Sequence, residues 1–166
     1  MTEYIIQLLE NVHIPHELIL FIISMLPIVE LRGALIAAPI LDVGFWQALI
    51  ICIIGNVIPI PFIIFLARPV FNWLKKTKLF SGITHKIEAK VSKKADKVMK
   101  NTAWGLFLFV AIPMPGTGAW TGSLIASLFN MRLKYALPSI LGGVIVAGII
   151  VALGAYGIVG AFEFLV

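Results

Sequence analysis

The sequence predicts an all-α membrane protein built from two inverted repeats, each a re-entrant helical hairpin followed by a transmembrane helix, with amphipathic helices at the interface. Three observations predict it. Apolar residues make up 60% of the 166 and charged residues 13%, about half the charged share of a soluble domain, and mean hydropathy is +1.04. Four apolar runs, 17–41, 45–74, 101–130 and 134–165, are each long enough to enter or cross a bilayer, which takes ~20 apolar residues. The first and third of these runs are broken near their middles by Pro and Gly, which interrupt helices.

The chain begins with a short amphipathic pattern. Tyr4, Ile5, Leu8, Leu9 and Val12 share one helical side, and Glu3, Gln7 and Asn11 the other. This start carries no Lys or Arg and no small-residue cleavage pattern, so no secretory signal peptide is expected. The run 17–41 is interrupted at 25–33 by MLPIVELRG. Asp42 follows in the turn LDVG, where a turn or helix cap is expected. The run 45–74 reads as a crossing helix. Asn56, Pro59 and Pro61, in GNVIPIPF, put an amide and a kink into it and are expected to line a cavity. Arg68, near its end, is expected either to snorkel to the headgroups or to meet a substrate phosphate. Cys52 sits in the same run as an apolar packing residue.

Nine of the thirteen basic residues fall in 75–100, from Lys75 to Lys100, opposed there only by Glu88 and Asp96. The block argues for membrane orientation rather than for nucleic acid. Ile83, Ile87, Val91, Ala95 and Val98 form a helical stripe, which fits a surface helix drawn to anionic lipid; a solvated loop fits equally. The run 101–130 is interrupted at 113–122 by PMPGTGAWTG, and 134–165 is the second crossing, with Gly142, Gly143, Gly148, Gly154, Gly157 and Gly160 set for close helix packing. The whole is one integral membrane domain, 1–166: repeat 1 about 17–74, the basic segment 75–100, and repeat 2 about 101–165.

The repeat rests on an ungapped match of 24–38 with 113–127. Met25 pairs with Met114, Gly33 with Gly122, and Leu35-Ile36-Ala37 with Leu124-Ile125-Ala126. Topology follows from Lys and Arg. If the broken runs re-enter, the block 75–100, Arg132 and Lys134 share one face, and the opposite face, with Asp42 and Glu163, holds no Lys or Arg. If all four runs cross, Arg132 and Lys134 fall outside, against the cytoplasmic bias of basic residues. The first arrangement is preferred. It places the protein in the cytoplasmic membrane with the lysine-rich segment inside the cell. Broken backbone at membrane depth must be buried or face a cavity, so the hairpin tips should meet.

Glu30 and Arg32 stand inside an apolar run beside a break. A charge at membrane depth costs ~3 kcal/mol or more, so such residues usually face a cavity and find a partner. Positions i and i+2 diverge on a helix, but an unwound segment would let both point into one cavity. Glu30 then serves as a proton-coupling carboxylate and Arg32 as a two-pronged anion receptor; the alternative is a structural ion pair. In the second break, Gly116, Thr117, Gly118 and Thr121 supply bare main chain and hydroxyls for an anion at a helix start. The lysine and spacing of a nucleotide loop are absent. His13, His16 and His85 show no metal-ligand spacing, so neither metal nor cofactor is expected.

At VELRGALIAAP and IPMPGTGAWTG the chain resembles the small multidrug export proteins, over nearly its whole length, and these look like distant relatives of the DedA membrane proteins. That resemblance implies paired re-entrant hairpins and, as in some DedA-like proteins, proton-dependent movement of polyprenyl-phosphate lipids. Glu30 corresponds to a membrane-embedded acidic residue of that pattern. Where DedA proteins carry arginines in the second hairpin, this chain has Gly, Thr and Trp. The function expected is an ion-coupled secondary transporter of an amphiphilic or anionic, lipid-phosphate-like substrate, with membrane lipids as partners and a homodimer as assembly. A structural scaffold is the runner-up. A lipid-phosphate enzyme ranks last, because no His falls in either hairpin.

Overall fold

Helices run through isolated prolines such as Pro69 and Pro138, and they stop at Pro27 and in the Pro- and Gly-rich stretch after Ala111. The computed structural model describes residues 15–75, 95–114 and 116–165. The amphipathic start and the surface helix expected over most of the basic block lie outside them. The helices are α1 (His16–Met25), α2 (Glu30–Ala37), α3 (Phe45–Val57), α4 (Pro59–Lys75), α5 (Ala95–Ala111), α6 (Ala119–Leu128) and α7 (Leu133–Leu165). The described residues contain no strand.

Each boundary has a local cause. α1 stops because Pro27 forces Leu26 to an extended conformation, φ −73° and ψ 137°. α3 and α4 are separated by Ile58 alone, which stays helical in φ and ψ. Pro59 and Pro61 have no N–H, so the ladder is interrupted there without ending the rod. Together α3 and α4 give an apolar span, Phe45–Val70, of 26 residues, and α7 gives Leu133–Gly160, of 28. Both are long and apolar enough to cross a membrane and lie where the two crossings were expected. α5 starts earlier than expected, at Ala95, because nothing before Gly105 breaks it, so the last residues of the basic segment belong to this helix. The second break is also shorter than expected, 112–118. Gly122 sits inside α6, where a Cβ would come 2.7 Å from Val110 Cγ2.

Packing is close and partly crossed. α1 lies on α3 and α5 on α7, while α2 also packs on α7 and α6 on α4. Two glycines make the first pair of contacts possible. A Cβ on Gly55 would meet the Phe21 carbonyl at 2.7 Å and Ser24 Oγ at 2.1 Å; one on Gly143 would meet the Phe107 carbonyl at 2.9 Å and Val110 Cβ at 2.7 Å. The interior mixes aliphatic side chains such as Ile19, Leu20 and Ile64 with small residues, among them Ala34, Ala48, Ser123, Ala126, Ser127 and Ala147, which let helices approach closely. Ser123 donates to the Ala119 carbonyl at 2.6 Å, and Ser127 to the Ser123 carbonyl at 2.8 Å. Large aromatic side chains point outward: Trp46, Phe65 and Trp104 are 72%, 76% and 67% exposed.

The corners α2–α3 and α6–α7 share one geometry. Asp42 and Asn130 are left-handed, φ 54° and 49°. Val43 N–H bonds the Ala38 carbonyl at 3.1 Å, and Met131 N–H bonds the Ala126 carbonyl at 2.9 Å, the long bond of a Schellman helix end. Asp42 therefore makes the turn and does not cap α3, whose N-cap is Gly44. Each corner is held by a side chain from a spanning helix of the other half: Tyr156 Oη donates to the Val43 carbonyl and Arg68 Nη2 to the Met131 carbonyl. All these pairs lie 88 positions apart (42 to 130, 43 to 131, 68 to 156), as do Gly55 and Gly143. The sequence match at the breaks runs at 89 (33 to 122), so the register slips by one between break and corner.

Candidate functional site

The two breaks, at 26–29 and 112–118, meet. Glu30 begins α2 in a left-handed conformation, φ 51°, which costs about 1–2 kcal/mol for a residue with a Cβ. That backbone turns its side chain off the helical path, and so a pair at i and i+2 touches: Arg32 Nη1 donates to Glu30 Oε2 at 2.9 Å. The Glu30 side chain is 7% exposed and that of Arg32 17%.

Each charge also satisfies a helix end of the second half. Glu30 Oε1 accepts the Trp120 backbone N–H at 3.1 Å, so the carboxylate sits at the positive start of α6. Arg32 Nη2 donates to the carbonyls of Val110 at 3.2 Å and Ile112 at 3.3 Å, placing the guanidinium at the negative end of α5. Its third contact there is Thr117 Oγ1 at 3.5 Å. Thr117 donates to the Ile112 carbonyl at 2.7 Å and closes the loop. The Trp120 indole N–H reaches back to the Met25 carbonyl at 3.2 Å, at the end of α1. The breaks therefore satisfy several of one another's orphan groups.

Gly118 is dictated by this contact: a Cβ there would stand 1.8 Å from Glu30 Oε2. Gly116 supplies a φ of 83° that only glycine adopts freely. Beside the pair lies a cavity of about 270 Å³, and Glu30, Arg32, Gly116, Thr117, Gly118 and Thr121 all line it. The remaining wall is apolar and includes Ile28, Ile36 and, from α7, Val151.

Six of the eight residues singled out from the sequence are thus brought together. Asn56 and Arg68 are not among the residues lining this cavity. Asn56 is buried in α3 with Oδ1 unpartnered, and Arg68 holds the α6–α7 corner. The pair Arg32 and Glu30 is engaged with the protein on both sides, although Arg32 Nε has no partner. Trp120 was missed as a site residue. An indole N–H at membrane depth needs an acceptor, and that was the available signal.

A fold of helices alone, two of them of membrane length and only 33% and 44% buried, is not a soluble protein wrapped around a core helix. With its outward apolar side chains and one internal ion pair at a cavity, it defines an integral membrane protein. The chain belongs to the family described as "putative small multi-drug export protein", whose model matches residues 30–150. Comparison with curated proteins and with solved structures returns no match.

Proposed function

We propose that the chain is a secondary transporter in which two inverted repeats present re-entrant hairpins, α1–α2 and α5–α6, and that the cavity between their tips is the transport path. One observation carries this reading: the Glu30–Arg32 pair lies on a cavity of about 270 Å³ and not in packed core. Charges held at membrane depth on a cavity are the usual marks of a substrate or ion pathway. The corner geometry recurring 88 positions apart supports the repeat. One spanning rod separates the hairpins, which inverts the second relative to the first. Arg68 bonds the corner beside Arg132 and Lys134, in keeping with a basic cytoplasmic face. Tyr156 bonds the corner beside Asp42, in keeping with an opposite face free of Lys and Arg.

In this mechanism Glu30 exchanges its bond to Arg32 for a proton. Arg32 stays in place, because carbonyls of α5 hold it from the other side. Its positive charge is then uncompensated and receives the head of an anionic amphiphile, a lipid phosphate or a small exported compound, beside Thr121 and the bare main chain of Gly116. Proteoliposomes with a pH gradient and a fluorescent amphiphile bearing a phosphate head test the coupling. Glu30→Gln is expected to abolish the pH dependence of its movement. Unchanged pH-dependent transport would overturn the role of Glu30.

A scaffold without transport is the second reading, favoured by the full engagement of both Arg32 Nη atoms with the protein. Replacing a buried ion pair with apolar residues of similar volume is often neutral for stability. On that reading, a Glu30→Gln, Arg32→Met double variant keeps every cellular activity of the wild type; on the transport reading it folds and is inactive.

A further inference from the structure

The corner between α5 and α7 differs from its counterpart between α1 and α3. Gly55 faces Phe21 and Ser24 as Gly143 faces Phe107 and Val110, so positions on α5 follow those on α1 by 86 (21 to 107, 24 to 110), while α7 follows α3 by 88. In the first half this corner is bridged: Gln47 Nε2 donates to Glu17 Oε1 at 3.0 Å. The corresponding positions in the second half are Tyr135 and Ala103, which share no such bond and line an open groove of about 350 Å³.

The groove is apolar except at one end. Trp104, Phe107 and Pro138 line it together with Ser139, whose hydroxyl is already bonded to the Tyr135 carbonyl at 2.8 Å. At that end the Lys134 ammonium stands 4.9 Å from the centre of the Tyr135 ring. Lys97 and Lys100 precede Ala103 on α5, with Asp96 as the acid of that stretch. No residue lining the groove lines the central cavity.

We propose that this groove is a binding site for an anionic phospholipid, with an acyl chain laid between α5 and α7 and the headgroup at Lys134. An acyl chain asks for no hydrogen bonds, and most of the wall is apolar. Trp and Tyr gather where a bilayer turns polar, and lysines beside that level attract anionic headgroups. The equivalent corner, with Glu17 in the place of Ala103, carries the wrong charge and is bridged by the Gln47–Glu17 bond. The site rests on the membrane setting alone and stands whether or not the central cavity transports anything.

Native mass spectrometry of the full-length protein in detergent, titrated with phosphatidylglycerol or phosphatidylcholine, tests it. The wild type is expected to retain one phosphatidylglycerol in preference to phosphatidylcholine. Lys134→Gln should lose about fivefold in affinity for phosphatidylglycerol and most of the preference. Ser139→Phe, which fills the groove, should release both lipids, and Ala103→Phe repeats that test from the facing helix if the first variant fails to fold. Gln47→Ala, at the bridged corner, should bind like the wild type. Equal binding of the two lipids by the wild type, or undiminished phosphatidylglycerol in a folded groove-filling variant, overturns the proposal.

Discussion

At the scale of single residues, the site depends on what glycine leaves out. Gly118 gives its missing Cβ to the Glu30 carboxylate, which would otherwise be 1.8 Å away. Gly118→Ala must therefore push Glu30 off both Arg32 and the Trp120 N–H. Leaving a buried charge without its partner costs about 3–5 kcal/mol. We expect this variant to melt well below the wild type in detergent, and Thr121→Ala, which removes no bond described here, to melt close to it. Glu30 and Arg32 were legible in the sequence because charges inside an apolar run stand out. Their partners were not, because Val110, Ile112 and Trp120 contribute main-chain atoms, and any residue type has those. The left-handed backbone at Glu30 was equally hidden: glutamate carries no preference for it, so only tertiary bonds hold it there. Asn56 and Arg68 were grouped with the cavity on chemical type alone, and type does not say which way a helix is turned.

At the scale of elements, the breaks came where expected but shorter in both halves: the first, expected over 25–33, spans only 26–29, with Gly33 inside α2. Pro27 ends α1 by forcing Leu26 to an extended conformation, and Pro59 and Pro61 interrupt the α3–α4 ladder by lacking N–H groups, both purely local effects. Gly122 lies inside α6, because the close approach of Val110 outweighs a low helix propensity; Gly105 lies inside α5 with nothing near its missing Cβ. The corners make a sharper statement. Asp42 and Asn130 both pay the left-handed penalty, which is smaller for Asn and Asp than for other side chains. Asp42→Gly should leave stability the same or raise it by up to about 1 kcal/mol, whereas Asp42→Val should lower it by about 1–2 kcal/mol. Thermal unfolding in detergent reads both; equal melting temperatures for the two variants would contradict the corner geometry.

At the scale of the whole molecule, the prediction concerns which corners share a membrane face. Cys52 is the single cysteine and is buried, so Cys52→Ser provides a background for labelling. In sealed cells an impermeant thiol reagent should reach Asp42→Cys and not Arg132→Cys, until the membrane is opened. Labelling of both from outside would place the corners on one face and end the inverted arrangement. The crossed ties have a further consequence, during translation. The Val43 carbonyl waits for Tyr156, 113 residues later, and α2 waits for α7. At about 5–20 residues per second, a ribosome needs roughly 6–20 s to supply the missing partner. For the first part of that interval the nascent first half also holds a carboxylate with no α6 to receive it, since Trp120 follows Glu30 by 90 residues, so the insertion machinery must shelter the unfinished chain until its last helix emerges.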